Sequence, residues 1–140
     1  MNRHLFGRQR WIAAVLGVGF LCPLVIALFL QPSERGYGTH QQLGLPPCSF
    51  EMLFGRPCPS CGSTTAFACV VRGCWRDALR ANAGGALLAV LCALVGPWLL
   101  ASSASGRWLL WVPSGPRVAL IMAGIATIMV IGWVVRLCGG

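Results

Sequence analysis

The sequence predicts an all-α integral membrane protein: one domain over residues 1–140, with three transmembrane helices and, between the first two, a cysteine-containing loop carrying short interfacial helices. Three observations carry this. The chain is 56% hydrophobic and only 10% charged, with a mean hydropathy of +0.73, well above the apolar share of soluble domains. Three apolar runs, residues 11–30, 83–101 and 118–135, each approach the roughly 20 residues that cross a bilayer core as a helix. No run contains an ionised side chain, as expected where a central Arg or Asp disfavours insertion by about 2.5–3.5 kcal/mol.

The first run follows Arg3, Arg8 and Arg10, the basic start shared by signal peptides and first spans. It is longer than a signal-peptide core and no small-residue cleavage pattern follows it before Gln31-Pro32, so it is assigned as a span. Trp11 at its head suits an interfacial anchor, as do Trp98, Trp108, Trp111 and Trp133 near the other predicted span ends.

Residues 31–82 form the cysteine loop. Its first part is rich in Gly, Pro and polar residues and has no sustained period. From Ser63 the segment STTAFACVV begins as a helix, with Ser63 or Thr64 available as its cap. Arg72-Gly73 breaks it, and CWRDALRA is a second helical run leading to Asn82, the expected N-cap of the second span. In that span Gly85, Ala89 and Ala93 recur every four residues and offer one face to another helix, of a protein partner or a second copy. The connector RWLLWVPSGP and the third span, ending at Arg136, complete the chain.

The net charge of +8 comes from eleven Arg and no Lys against Glu34, Glu51 and Asp77. No helix-turn-helix, zinc-finger or aromatic RNA-binding pattern accompanies it, so no nucleic-acid partner is expected, and contact with the lipid bilayer is the reading. Arg72, Arg76 and Arg80 at i, i+4, i+8 would form one stripe on a continuous helix and meet lipid headgroups. Three acids leave little material for acid–base catalysis, which argues against a hydrolase; there is no Walker A or G-x-G-x-x-G loop. The expected location is the cell membrane, multi-pass. A cytoplasmic N-terminus puts five Arg inside and six outside, so the flank of the first helix, Arg3, Arg8 and Arg10, sets the expected orientation.

Eight cysteines occupy positions 22, 48, 58, 61, 69, 74, 92 and 138. Cys22, Cys92 and Cys138 fall in or at the ends of spans and read as small apolar fillers. CPSCG, Cys58 to Gly62, supports three chemistries. It resembles one knuckle of a zinc ribbon, although a structural zinc needs four ligands, so Cys48 would have to join with Cys69, Cys74, His40 or a second protomer. Beside a helix N-terminus, Cys58 and Cys61 also resemble a thiol–disulfide exchange pair, without the βαβ setting of thioredoxin-like motifs. The third reading is a structural disulfide or tight corner at Cys48, Cys58 and Cys61 that anchors the loop. A cofactor is not expected beyond zinc.

PPCSFEMLFGRPCPSCGSTTAFACVVRGCWRDALRANAGGALL resembles the core of an uncharacterised bacterial family of small integral membrane proteins, known only as a domain of unknown function, with the pattern P-C-P-F-x-x-L-T-G-x-x-C-P-G-C-G-x-T-R-A ahead of a short helix and an Asn-Pro entry into a span. Cys48, Phe50, Leu53, Gly55, Cys58, Pro59, Cys61, Gly62, Thr64, Ala66, Gly73 and Asn82 fall on matching positions, over about a third of the chain. Thr65 stands where the family has Arg, and Ala83 where it has Pro. The resemblance implies an integral membrane protein and no settled activity. The functional expectation is a non-enzymatic membrane module that binds a protein partner or lipid, its loop stabilised by Cys48, Cys58 and Cys61. A membrane thiol–disulfide oxidoreductase using Cys58 and Cys61, or a zinc-binding membrane module, are the alternatives.

Overall fold

The computed structural model describes residues 4–138; Arg3, part of the basic start, lies outside them. Five α-helices appear: α1 Arg8–Phe29, α2 Ser49–Phe54, α3 Ser63–Val70, α4 Trp75–Ser105 and α5 Gly115–Cys138, with a 3-10 turn at Thr39–Leu43. No strand occurs among the described residues. The helices α1, α4 and α5 are long and apolar enough to cross a membrane. Only 6% of the most apolar window of α5 is buried in the protein, and an apolar helix left this bare is stable where its surroundings are hydrocarbon. Pro23 and Pro97 sit inside α1 and α4, as membrane helices tolerate.

The central helix is α4, and three glycines set its contacts on three sides. Gly96 meets α1: a Cβ there would lie 2.7 Å from Leu21 Cγ, and one on Gly17 would lie 2.8 Å from Leu100 Cγ and 3.1 Å from the Gly96 carbonyl oxygen. This is a small-residue crossing that lets two backbones approach. Gly84 faces Met129 and Ile125 of α5, and Gly85 faces Ser63, where a Cβ would meet Ser63 Cα at 2.8 Å. Helices α1 and α5 both pack on α4 but not on each other.

The expected face of Gly85, Ala89 and Ala93 is largely used within the chain. Gly85 abuts α3, and Ala89 is buried in a cluster with Ala27 of α1, Phe67 of α3 and Cys92; only Ala93 is exposed. Gly85 and Ala89 therefore seat α3 and α1, and Ala93 is the exposed member of the face. Helix α3 buries Thr65 through Cys69 as a wedge between the C-terminal end of α1 and the start of the second span.

The two ends of the bundle are tied differently. At one end Leu5 N–H donates to the Gly106 carbonyl (2.8 Å), and the Arg10 guanidinium donates to the Ser103 and Ala104 carbonyls (2.9 and 3.1 Å), partnering the free C-terminal carbonyls of α4. At the other end Arg72 donates to Ala27 O and Ala68 O (3.0 and 2.8 Å) and to Leu28 O (3.0 Å), closing the C-terminal ends of α1 and α3 together. This corrects the expected Arg stripe. Helix α3 ends at Val70 and the chain reverses through Gly73, at φ +76°, so Arg72 leaves the helix that carries the exposed Arg76 and Arg80.

Candidate metal centre in the cysteine loop

The CPSC turn lies where the loop meets the ends of α4 and α5. Gly62 closes it at φ +92°, and a Cβ there would fall 2.5 Å from the Ala81 carbonyl oxygen and 2.7 Å from that of Gly36. Only glycine fits both the left-handed backbone and that space. Helix α3 starts directly after it. Its N-cap is Gly62, and neither Ser63 nor Thr64 makes a capping hydrogen bond, contrary to the sequence expectation. With the turn folded under Ala81, the Ser63 hydroxyl is instead buried against Gly85 without a partner. Thr65 is buried and shares a 2.7 Å hydrogen bond with Thr39, which ties the 3-10 turn to α3.

Asn82 joins the turn to the second span. It breaks α4 with extended backbone (φ −165°, ψ 106°), and its Oδ1 accepts the Gly85 N–H at 2.9 Å, the geometry of an N-cap. Its Nδ2 donates in the opposite direction, to Pro59 O at 3.0 Å and Cys61 O at 3.2 Å. One amide thus caps the membrane helix and holds the cysteine turn.

Helix α5 supplies two further clasps. Trp133 Nε1 donates to Pro57 O at 2.7 Å, and Arg136 Nη1 donates to Cys61 O at 3.3 Å and to Ala81 O. In the sequence these two read as a membrane-interface anchor and a helix-end charge. Their role in the loop has no local signal, because the partners are backbone carbonyls more than 50 residues away.

This framework converges three sulfurs. The Sγ atoms of Cys48, at the N-cap of α2, and of Cys58 and Cys61, in the turn, lie within 4.8 Å of one another. Cys58 Sγ and Cys61 Sγ are 3.1 Å apart, with both thiols free. Cys61 is buried; Cys48 and Cys58 are half-buried. The remaining candidates lie elsewhere. His40 contacts Pro46 O, Cys69 is packed among alanines of α3 and α4, and Cys74 is exposed beside Arg72.

Burial pushes the Cys58 thiol up, but hydrogen bonds from Ser60, Cys61 and Cys48 outweigh it and bring it down to about 7. Burial and its hydrogen bonds to Cys58 and Cys48 push Cys61 up to about 12. The pair therefore shares one proton, held on Cys61, with thiolate character on Cys58. Burial likewise raises Cys69, as suits a packing residue.

With the geometry in hand, comparison with known proteins locates the site. A family model described as protein of unknown function, DUF2752, matches residues 48–96. The matched segment begins at Cys48, includes Cys58, Cys61 and Asn82, and ends at Gly96, where α1 crosses α4. Trp133 and Arg136 lie outside it and clasp it from α5. Neither a curated protein nor a solved structure matches the chain.

Proposed function

We propose that the chain is a non-enzymatic membrane module whose loop is closed on one soft d10 cation, zinc being the candidate, by the thiolates of Cys48, Cys58 and Cys61. The observation that carries this reading is the convergence of three sulfurs from two separate elements within 4.8 Å. Zinc–thiolate bonds of about 2.3 Å in tetrahedral geometry need sulfurs this close. A divalent ion with three thiolates has one net negative charge, and the Arg136 guanidinium bonded to Cys61 O stands beside it with the opposite sign. A fourth ligand comes from water or a bound partner. The N-terminus is assigned to the cytoplasm on the arginine flank of α1, with the loop on the opposite face, where metal loading would protect thiols from oxidation. Exposed Arg76 and Arg80 then meet lipid headgroups on that face.

The test is a cobalt titration of the reduced protein in detergent. One equivalent should give intense thiolate-to-cobalt charge-transfer absorption that is lost in Cys48→Ser. Absence of that band in wild type would remove the metal reading.

A second reading is thiol–disulfide exchange, favoured by the 3.1 Å approach of Cys58 to Cys61, with Cys58 the more accessible sulfur. Its mark would be a Cys58–Cys61 disulfide that forms and reduces reversibly near the poise of its compartment, leaving Cys48 free. The metal reading expects Cys48 to behave with the other two.

A further inference from the structure

Because α1 and α5 both pack on α4 and not on each other, a groove runs between them, floored by α4. It is an elongated cavity of about 780 Å³, within the range of small-ligand sites, at the end of the bundle opposite the cysteine loop. It runs from Phe20 and Leu91, partway along the spans, to His4 and Trp108 at the membrane surface. Its walls are apolar except for His4 and Gln9 at the outer mouth.

The charge at the outer end indicates the occupant. The indole of Trp98 stacks between Trp108 and Trp111, with ring centroids 5.5 Å from each, and forms an aromatic wall at that end. That end of the bundle is one-signed. Arg107 pairs with His4 in an antiparallel bridge, and Arg8 and Arg117 precede the lining residues Gln9 and Val118, all three arginines being exposed. Glu34, Glu51 and Asp77 belong to the cysteine-loop end, so no carboxylate offsets these charges.

A long apolar slot in the hydrocarbon layer that opens at an uncompensated basic end of the bundle fits one chemistry. We propose that this groove holds one acyl chain of an anionic glycerophospholipid, with its phosphate beside His4 and Arg107. The site is separate from the cysteine loop and does not depend on the metal reading.

The test is purification of the full-length protein from membranes containing anionic phosphatidylglycerol and zwitterionic phosphatidylethanolamine, extensive detergent washing, and native mass spectrometry of the lipid retained. Wild type should keep one phosphatidylglycerol per chain. Arg107→Gln, a surface change that leaves the core intact, should weaken retention about fivefold, the contribution expected of one arginine at the membrane surface. Ile121→Trp, at a half-exposed lining position of α5, should abolish it by filling the groove. Far-ultraviolet circular dichroism and Cys58 labelling at the opposite end establish that the variants are folded. No stoichiometric lipid, equal retention of phosphatidylethanolamine, a copurifying protein helix in its place, or full retention in folded Arg107→Gln would each overturn the proposal.

Discussion

Asn82 is the hinge of the account, because a single side chain caps the second span and latches the cysteine turn. Asn82→Ala removes both functions. Loss of an N-cap costs about 1 kcal/mol. Of the two carbonyls held by Nδ2, Cys61 O keeps Arg136 while Pro59 O loses its only side-chain donor, which adds about 1–3 kcal/mol for a carbonyl stripped of its partner. The expected total is about 2–4 kcal/mol, read as a lowered thermal midpoint in detergent together with weaker cobalt binding. Asn82→Asp separates the two roles. A carboxylate still accepts the Gly85 N–H and caps the helix, but it cannot donate, and it places negative charge against Pro59 O and Cys61 O. Helix content should stay near wild type while metal affinity falls. Both variants retaining wild-type stability and wild-type cobalt affinity would refute the latch.

Arg136→Gln should loosen the same turn. Since Arg136 and Asn82 share the Cys61 carbonyl, a double-mutant cycle between them should show coupling of about 0.5–3 kcal/mol rather than additivity. Gly62→Ala should destabilise by more than about 1 kcal/mol, because it combines a left-handed backbone with a collision against Ala81 O, and it should lower cobalt affinity in membranes and detergent alike. In chelator-treated protein, maleimide modification of Cys58 should rise with pH to half its maximum near pH 7, while Cys61 stays protected up to about pH 12. The sign for Cys58 follows from its lowered value: the folded state favours the thiolate, so the stabilisation is fully present above the ordinary thiol pKa and is lost as pH falls through about 7. Coincident titration of the two thiols would contradict the shared proton.

The spans were legible because apolar length and the exclusion of charge are local properties of a sequence. The described helices extend the expected runs by a few residues at most ends, Arg8 and Cys138 marking the outer limits. The three thiols were also legible as a group, since C-x9-C-x2-C places them in one loop. Their closure was not, because it depends on Asn82, Trp133 and Arg136 reaching backbone carbonyls, and a carbonyl carries no residue identity to read. Helix packing shows the same limit. The four-residue spacing of Gly85, Ala89 and Ala93 marks a face, but nothing in it tells a neighbour within the chain from a second copy. The α1–α4 crossing rests on Gly17 and Gly96, and nothing in the sequence of α1, which also carries Gly19, tells which glycine meets α4. The arginine stripe failed for a physical reason visible only in three dimensions. Gly73 turns the chain, and the carbonyls ending α1 and α3 are the nearest acceptors for Arg72.

The central claim is that Cys48, Cys58 and Cys61 hold one metal ion together, and elemental analysis of protein purified without added metal and under reducing conditions tests it most directly. The account predicts about one zinc per chain in wild type and in Cys22→Ser, whose thiol is exposed on a span, with the ion lost in Cys48→Ser, Cys58→Ser or Cys61→Ser and released by chelators. Metal-free wild-type protein with all three loop thiols reactive, or metal content unchanged in the three serine variants, would contradict it.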